Sequence, residues 1–241
     1  MRVYGVSNIG LVRKENQDAF VVGENESFAY AVVCDGMGGA NGGAVASELA
    51  VDIVSKRISV SEKSSDYKFV LLSAVSAANV SVYDKAKTDS SLEGMGTTIV
   101  AAVVKDDVLH VAHAGDSRAY LFDGKEFTQL TRDHSVVQEL LENGDITPDQ
   151  AQHYPNRNLI TRALGVSLDL QPEYNEFYLQ GDYSVFICTD GVTNLVGDDE
   201  IAEFIKEKTE TAVDSIIKLA MERGGTDNAT AVIINKNSME D

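Results

Sequence analysis

The sequence predicts an α+β fold in which helices cover an antiparallel sheet or a pair of sheets, and three observations carry that prediction. Short apolar, β-branched runs recur with turn residues between them, two of the links after such runs read as tight hairpins, and helical periodicity comes in blocks rather than after every strand. Helix blocks of that kind argue against a parallel βαβ arrangement.

Taken in order, Ala19 to Val22 is strand-like and Phe28 to Cys34 is the first continuous apolar run. Ala46, Leu49, Ala50, Ile53 and Val54 then repeat at helical spacing, as do Leu71, Ala74, Val75, Ala78 and Val82. Thr98 to Val104 and Val108 to Ala114 read as strands joined by a hairpin at Lys105-Asp106-Asp107, and Ala119 to Phe122 runs into a second turn at Asp123-Gly124. A helix is expected to begin near Arg132-Asp133-His134-Ser135, with Ser135 or Asp133 as N-cap and His134 bracing it. Asn143 to Asn158 holds two prolines, four amide side chains from Gln150 onward and few apolar residues, which predicts a long surface segment over or beside a site. Val185 to Cys188 is another strand, followed by helical patterns over Asp198–Lys208 and Thr211–Arg223 and a last strand over Ala229–Ile234. The charges from Glu200 to Glu210 read as a solvated helix face.

Composition narrows the possible functions. The chain has 241 residues with 20 Lys+Arg against 38 Asp+Glu, a net charge of −18, so phosphate backbones and anionic lipid surfaces repel it. With 44% hydrophobic residues it can fill a sizeable core. No apolar run approaches the ~20 residues that span a bilayer, and the N-terminal residues lack a signal-peptide core, so a cytoplasmic location without membrane insertion is expected. Three prolines give no linker, and one domain over residues 1–241 is the economical reading. Cys34 and Cys188 each lie in an apolar run, which suits a reducing compartment and predicts buried, small apolar residues.

The chemistry concentrates where strands end. Val32-Val33-Cys34-Asp35-Gly36-Met37-Gly38-Gly39 and Phe186-Ile187-Cys188-Thr189-Asp190-Gly191 each run an apolar strand into Asp-Gly, which predicts a carboxylate at the mouth of a sheet and a sharp turn at the glycine. Val111 to Ala114 runs into Gly115-Asp116-Ser117-Arg118, Gly224-Gly225-Thr226-Asp227-Asn228 precedes the last strand, and Arg13-Lys14-Glu15-Asn16-Gln17-Asp18 precedes the strand at Ala19. Converging carboxylates repel and raise one another's pKa, and hard divalent ions such as Mg²⁺ or Mn²⁺ relieve this with all-oxygen ligands. No His or Cys accompanies the aspartates at zinc-ligand spacing. Two such ions polarise water and hold a phosphoryl oxygen, which is metal-assisted phosphoester hydrolysis.

Eight motifs in order resemble the metal-dependent serine/threonine protein phosphatases of type 2C, the PPM family, in their bacterial form. They are Arg13-x-x-Asn16-Gln17-Asp18, Asp35-Gly36-Met37-Gly38-Gly39, Gly94-Met95-Gly96-Thr97-Thr98, Gly115-Asp116-Ser117-Arg118, Thr131-x-Asp133-His134-Ser135, Leu159-Ile160-Thr161-Arg162-Ala163-Leu164-Gly165, Thr189-Asp190-Gly191 and Gly225-Thr226-Asp227-Asn228. The resemblance implies a four-layer αββα sandwich, two antiparallel sheets flanked by helices, with a metal centre at one end. It implies two Mn²⁺ or Mg²⁺ ions, with Asp35 bridging them, the Gly36 carbonyl on one, Asp190 and Asp227 on the other and Asp18 near it. Asp116 and Asp190 would hold a third ion, Arg13 would grip the substrate phosphate, Asn228 would support a ligand, and residues 143–158 would form the flap.

The implied partners are phosphoprotein substrates, including a cognate Ser/Thr kinase, with no nucleic acid and a monomeric enzyme. Met37 stands where many eukaryotic relatives carry a general-acid histidine, and methionine has no proton to give. That leaves a metal-bound water or a flap residue such as His153 for the task. Gln17 is neutral where some relatives place Glu. His113 is expected to be a satisfied structural histidine, and Cys34 and Cys188, each just before a proposed ligand, are expected near each other. Two competing readings are a catalytically silent docking module, opposed by aspartate at every ligand position, and a two-metal nuclease, opposed by the net charge.

Overall fold

In a computed structural model of the protein, residues 1–25, 28–155, 157–207 and 211–236 are described. The elements in chain order are β1 (Arg2–Asn8), β2 (Asp18–Glu24), β3 (Phe28–Met37), α1 (Gly39–Ser59), α2 (Tyr67–Thr88), β4 (Gly96–Thr97), β5 (Ile99–Lys105), β6 (Val108–Ala114), β7 (Arg118–Phe122) and β8 (Phe127–Gln129). They continue with α3 (Val136–Glu142), α4 (Pro148–Gln152), β9 (Glu173–Tyr178), β10 (Tyr183–Cys188), α5 (Asp190–Thr193), α6 (Asp198–Glu207), α7 (Ala212–Glu222) and β11 (Ala229–Lys236).

The strands form two sheets in which neighbouring strands pair antiparallel. One has the order β1-β11-β10-β7-β8, the other β2-β3-β5-β6-β9 with β4 beside β3. Strand alternation builds three separate cores. Along β3, Ala29, Ala31 and Val33 face the space between the sheets, while Phe28, Val32 and Cys34 face α1 and α2. Along β10, Tyr183, Val185 and Ile187 meet those residues across the sandwich, while Phe186 and Cys188 pack beneath the helices after β10. The result is the expected αββα order of layers.

Local chemistry explains the boundaries. Asp106 and Asp107 both take positive φ, 50° and 58°, so the β5–β6 link is the two-residue turn whose twist matches its strands. The carboxylates of Asp66 and the hydroxyl of Ser135 cap α2 and α3 by accepting from Phe69 N and Gln138 N.

Several expectations need correction. The surface segment 143–158 carries a short helix not anticipated there, α4, which starts where Thr147 and Gln150 form a reciprocal capping box around Pro148. Asn156 lies outside the described residues. Cys34 and Cys188 are not neighbours. Each is one residue out of phase with the inter-sheet face, so they point into opposite helical layers. Strands β1, β8 and β9 carry no long apolar run and went unpredicted. Asp198–Lys208 is helical as far as Glu207, and residues 208–210 lie outside the described residues. Glu200 is not simply solvated, since Arg223 grips it with two hydrogen bonds of 2.6 Å.

Because Ile187 is fully buried between the sheets, Ile187→Ala should cost about 2–5 kcal/mol, whereas the same change at the exposed Val60 should stay within about 0.5 kcal/mol. Urea unfolding of the two variants checks this. Equal midpoints would contradict the layer assignment.

Candidate metal centre

Alternating strand direction gathers the aspartates at one end of the sandwich. Asp18 opens β2 and sits opposite Asp35 of β3, Asp116 follows the end of β6, Asp190 follows β10, and Asp227 precedes β11. The five expected carboxylates therefore converge. Their mutual influence shows it: Asp35 lies in the field of Asp18, Asp190, Asp116 and Asp227, and Asp190 in that of Asp227. Burial is the first cause and the neighbouring carboxylates add to it, so Asp35 is held well above the usual carboxylate range and Asp190 is also raised. Asp116 is pushed up to about 7 by burial, then by Asp190 and Asp133.

Asp18 is the most structurally committed of the five. Its Oδ2 accepts from the Thr189 hydroxyl at 2.9 Å and the Thr230 hydroxyl at 2.7 Å. Because Thr230 spends its proton there, it accepts from Ser7, which in turn accepts from Asn16 Nδ2, each at 2.8 Å. Burial nonetheless lifts Asp18 to about 7 despite these donors, and its Oδ1 is buried with no partner.

The two Asp-Gly pairs differ from the expected turns. Gly36 continues β3, paired with Thr97, and a Cβ there would lie 2.1 Å from the Gly43 carbonyl oxygen. Gly191 belongs to the first turn of α5, where a Cβ would lie 1.9 Å from the Asn228 carbonyl oxygen. Both glycines answer close backbone approach rather than a reversal. Arg13 donates to Asp227 Oδ2 at 2.7 Å and stays half exposed. Its loop is stapled by Asn228, whose Nδ2 donates to the carbonyls of Ile9 and Glu15 and whose Oδ1 accepts from Gln17 N.

A groove of about 670 Å³ leads away from Asp116 and Asp190, lined by Arg118, Asp133, His153 and Asn158 among others. Ala151, His153, Arg157 and Asn158 of the predicted flap thus border the groove. His113 is satisfied at Nε2, which donates to the Arg132 carbonyl at 2.9 Å, while Nδ1 has no partner. Sequence reasoning did not foresee the roles of Thr189 and Thr230, whose hydroxyls hold Asp18, of Thr98, which holds the Asp35 amide, or of Ser7, which holds Thr230. The available signal was threonine directly beside, or a short way past, a candidate ligand.

The residues present fit hard divalent cations. Asp18 leaves an oxygen bare in the interior, Asp35 and Asp190 are both raised by burial and by neighbouring carboxylates, and the five side chains offer only oxygen. An all-carboxylate centre with an arginine at its lip, at one end of a helix-flanked sandwich, is the apparatus of a metal-dependent phosphohydrolase.

Comparison with known proteins agrees. The family described as Protein phosphatase 2C matches residues 12–223. A serine/threonine phosphatase, Stp of Listeria innocua, is 35% identical over 237 residues, covering 96% of this chain and 94% of that protein. The crystal structure of the Mycobacterium tuberculosis serine/threonine phosphatase PstP/Ppp superimposes with a TM-score of 0.90 at 34% identity, covering 98% of each chain. The catalytic domain of PstP in complex with two manganese ions gives 0.86 at 33% identity, covering 96% of each. The chain belongs to the protein phosphatase 2C family.

With a chelator present, Asp18 and Asp116 bind protons up to about pH 7 when folded but only to about 3.8 when unfolded, so the folded state holds more protons between those values. Stability of the metal-free protein should therefore fall as pH rises from about 4 to about 7 and return on adding Mn²⁺. Thermal unfolding in EDTA across that range is the measurement, and a midpoint insensitive to pH would refute it.

Proposed function

We infer that the five-aspartate end of the sandwich is the catalytic centre of a protein serine/threonine phosphatase that uses Mn²⁺ or Mg²⁺ and whose ligands are Asp18, Asp35, the Gly36 carbonyl, Asp190 and Asp227. The observation that carries this reading is the convergence of those carboxylates with the bare Asp18 oxygen among them. Asp116 and Asp190 form the set for a third ion. When bound, the ions supply positive charge to a phosphoryl oxygen and make water acidic enough to attack phosphorus at neutral pH.

The chain's own residues do the remainder. Arg13 presents a planar guanidinium that matches two phosphate oxygens, and its half-exposed position lets a substrate reach it. Asp35 and Asp190 are the reacting centre's carboxylates, and the hydroxyl chain onto Asp18 fixes the third. Met37 cannot protonate the departing serine or threonine oxygen, and His153, in the groove beside Asp116 and Asp190, is the residue assigned to that proton.

Substrates are phosphoproteins, a reading supported by the names of the bacterial relatives, and a cognate Ser/Thr kinase is proposed among them. The catalytic domain spans 1–241, supported by the extent of the relatives' match. It works as a monomer in the cytoplasm, and the two buried free cysteines support a reducing compartment. Among the described residues, no helix is long and apolar enough to cross a membrane.

Purified protein with Mn²⁺ should hydrolyse p-nitrophenyl phosphate and a phosphothreonine peptide, and EDTA, Asp35→Asn or Asp190→Asn should abolish turnover. Turnover that survives chelation would remove the mechanism. Arg13→Ala should raise KM more than it lowers kcat, because it removes phosphate binding and no ligand. An unchanged KM would take the clamp role from Arg13.

A further inference from the structure

Beside the carboxylates lies a polar cluster that the phosphatase reading leaves unused: the buried His113 and His134 with the partly exposed Arg162 and Glu173. Donor atoms of His113, His134 and Glu173 lie within 4.8 Å of one another, a spacing that suits a cation. The hydrogen bonds argue otherwise. Gly115 N–H donates to His134 Nδ1 at 3.2 Å, so the neutral ring carries its proton on Nε2, which donates to Glu173 Oε2 at 3.2 Å. Arg162 Nη1 stands 3.1 Å from that same nitrogen, and a cation there would meet both a proton and a guanidinium.

What the cluster does hold is the residue before Asp116. His134 takes both main-chain groups of Gly115: its Nδ1 accepts from Gly115 N–H, and its own N–H donates to the Gly115 carbonyl at 2.9 Å. Gly115 has φ of 111°, and a Cβ there would lie 2.6 Å from Thr98 Cβ, so the turn is pressed between His134 and Thr98. Thr98 Oγ1 in turn accepts from Asp35 N at 3.0 Å and lies 2.8 Å from Ser117 Oγ, which ties the turn carrying Asp116 to the strand carrying Asp35. The His134 ring is itself fixed. It stacks on His113 with 4.7 Å between centroids and 7° between planes, and its carbonyl accepts from Thr161 N at 2.7 Å. Burial pulls its pKa down to about 4, so Nδ1 keeps the lone pair that receives Gly115 across the neutral range.

We propose that His134, steered by Glu173 and seated on His113, is a positioning residue that grips Gly115 at both ends and so sets where the Asp116 carboxylate projects. The proposal rests on the reading of Asp116 as a cation ligand. It predicts that the grip is felt in metal affinity and in the local backbone, not merely in global stability.

The test compares His134→Leu, His134→Asn, Glu173→Ala and Asp116→Asn by Mn²⁺ titration calorimetry and by hydrogen exchange of the metal-free proteins. His134→Leu removes the acceptor and should speed exchange of the 115–117 amides and weaken binding of at least one Mn²⁺ about tenfold. Asn keeps an acceptor oxygen close to the Nδ1 position, so His134→Asn should recover most of both. If His134→Leu does not fold, Glu173→Ala, on the partly exposed β9 edge, frees the ring and should move both readouts in the same direction. Should Asp116→Asn weaken Mn²⁺ binding while the folded His134 and Glu173 variants stay within about twofold of the parent, the positioning role is overturned. An Asp116→Asn protein that binds Mn²⁺ like the parent would instead overturn the ligand assignment and the proposal with it.

Discussion

Carboxylates crowded into a place where water is scarce repel one another, and every feature at this end of the sandwich answers that repulsion. Burial and mutual charge raise Asp18, Asp35, Asp116 and Asp190 together, so none is at ease as an isolated anion. The repulsion is kept because it is useful: it is the affinity for a divalent cation, held ready by the scaffold. Backbone and hydroxyl donors must keep the oxygens from turning away. Thr189 and Thr230 do this for Asp18, and Thr98 donates no charge but anchors the amide of Asp35.

The scaffold that bears this load is ordinary sheet geometry. Antiparallel pairing brings the start of β2 beside the end of β3 and the end of β10 beside the start of β11. Asp18, Asp116, Asp190 and Asp227 then stand at or just beyond a strand end, and Asp35 sits opposite Asp18 near the end of β3. Glycines at 36 and 191 are fixed by main-chain oxygens about one van der Waals contact too close for any side chain. The same dense packing explains why Asn228, with three main-chain hydrogen bonds, can hold the Arg13 loop.

Much of this was legible in the chain. The five aspartates stood out because each adjoined an apolar run, periodicity found both long helices, and two apolar runs around Lys105-Asp106-Asp107 found the β5–β6 hairpin. Elements without apolar runs escaped: β1 alternates across a half-exposed edge, β8 is three residues long, and β9 faces solvent on one side. The Cys34–Cys188 proximity failed because residues at the same offset from two strand ends need not share a face of the sandwich. Helix α4 was hidden by its prolines and amides, which are also the signature of its cap. Hydroxyl-to-carboxylate contacts reach across more than 170 positions, as from Thr189 to Asp18, and no local pattern encodes them.

The centre draws Asp18, Asp35 and Asp116 from one sheet and Asp190 and Asp227 from the other. The two sheets meet through an apolar layer of side-chain packing, and at this end the Thr189 and Thr230 hydroxyls of one sheet also hold Asp18 of the other. Donors that must agree on one ion thereby act as a gauge of shear. On the proposed ligand set, a bound cation would favour the alignment in which both sheets present their oxygens at once, and a substitution deep in the inter-sheet layer would detune the site without touching any of the five aspartates.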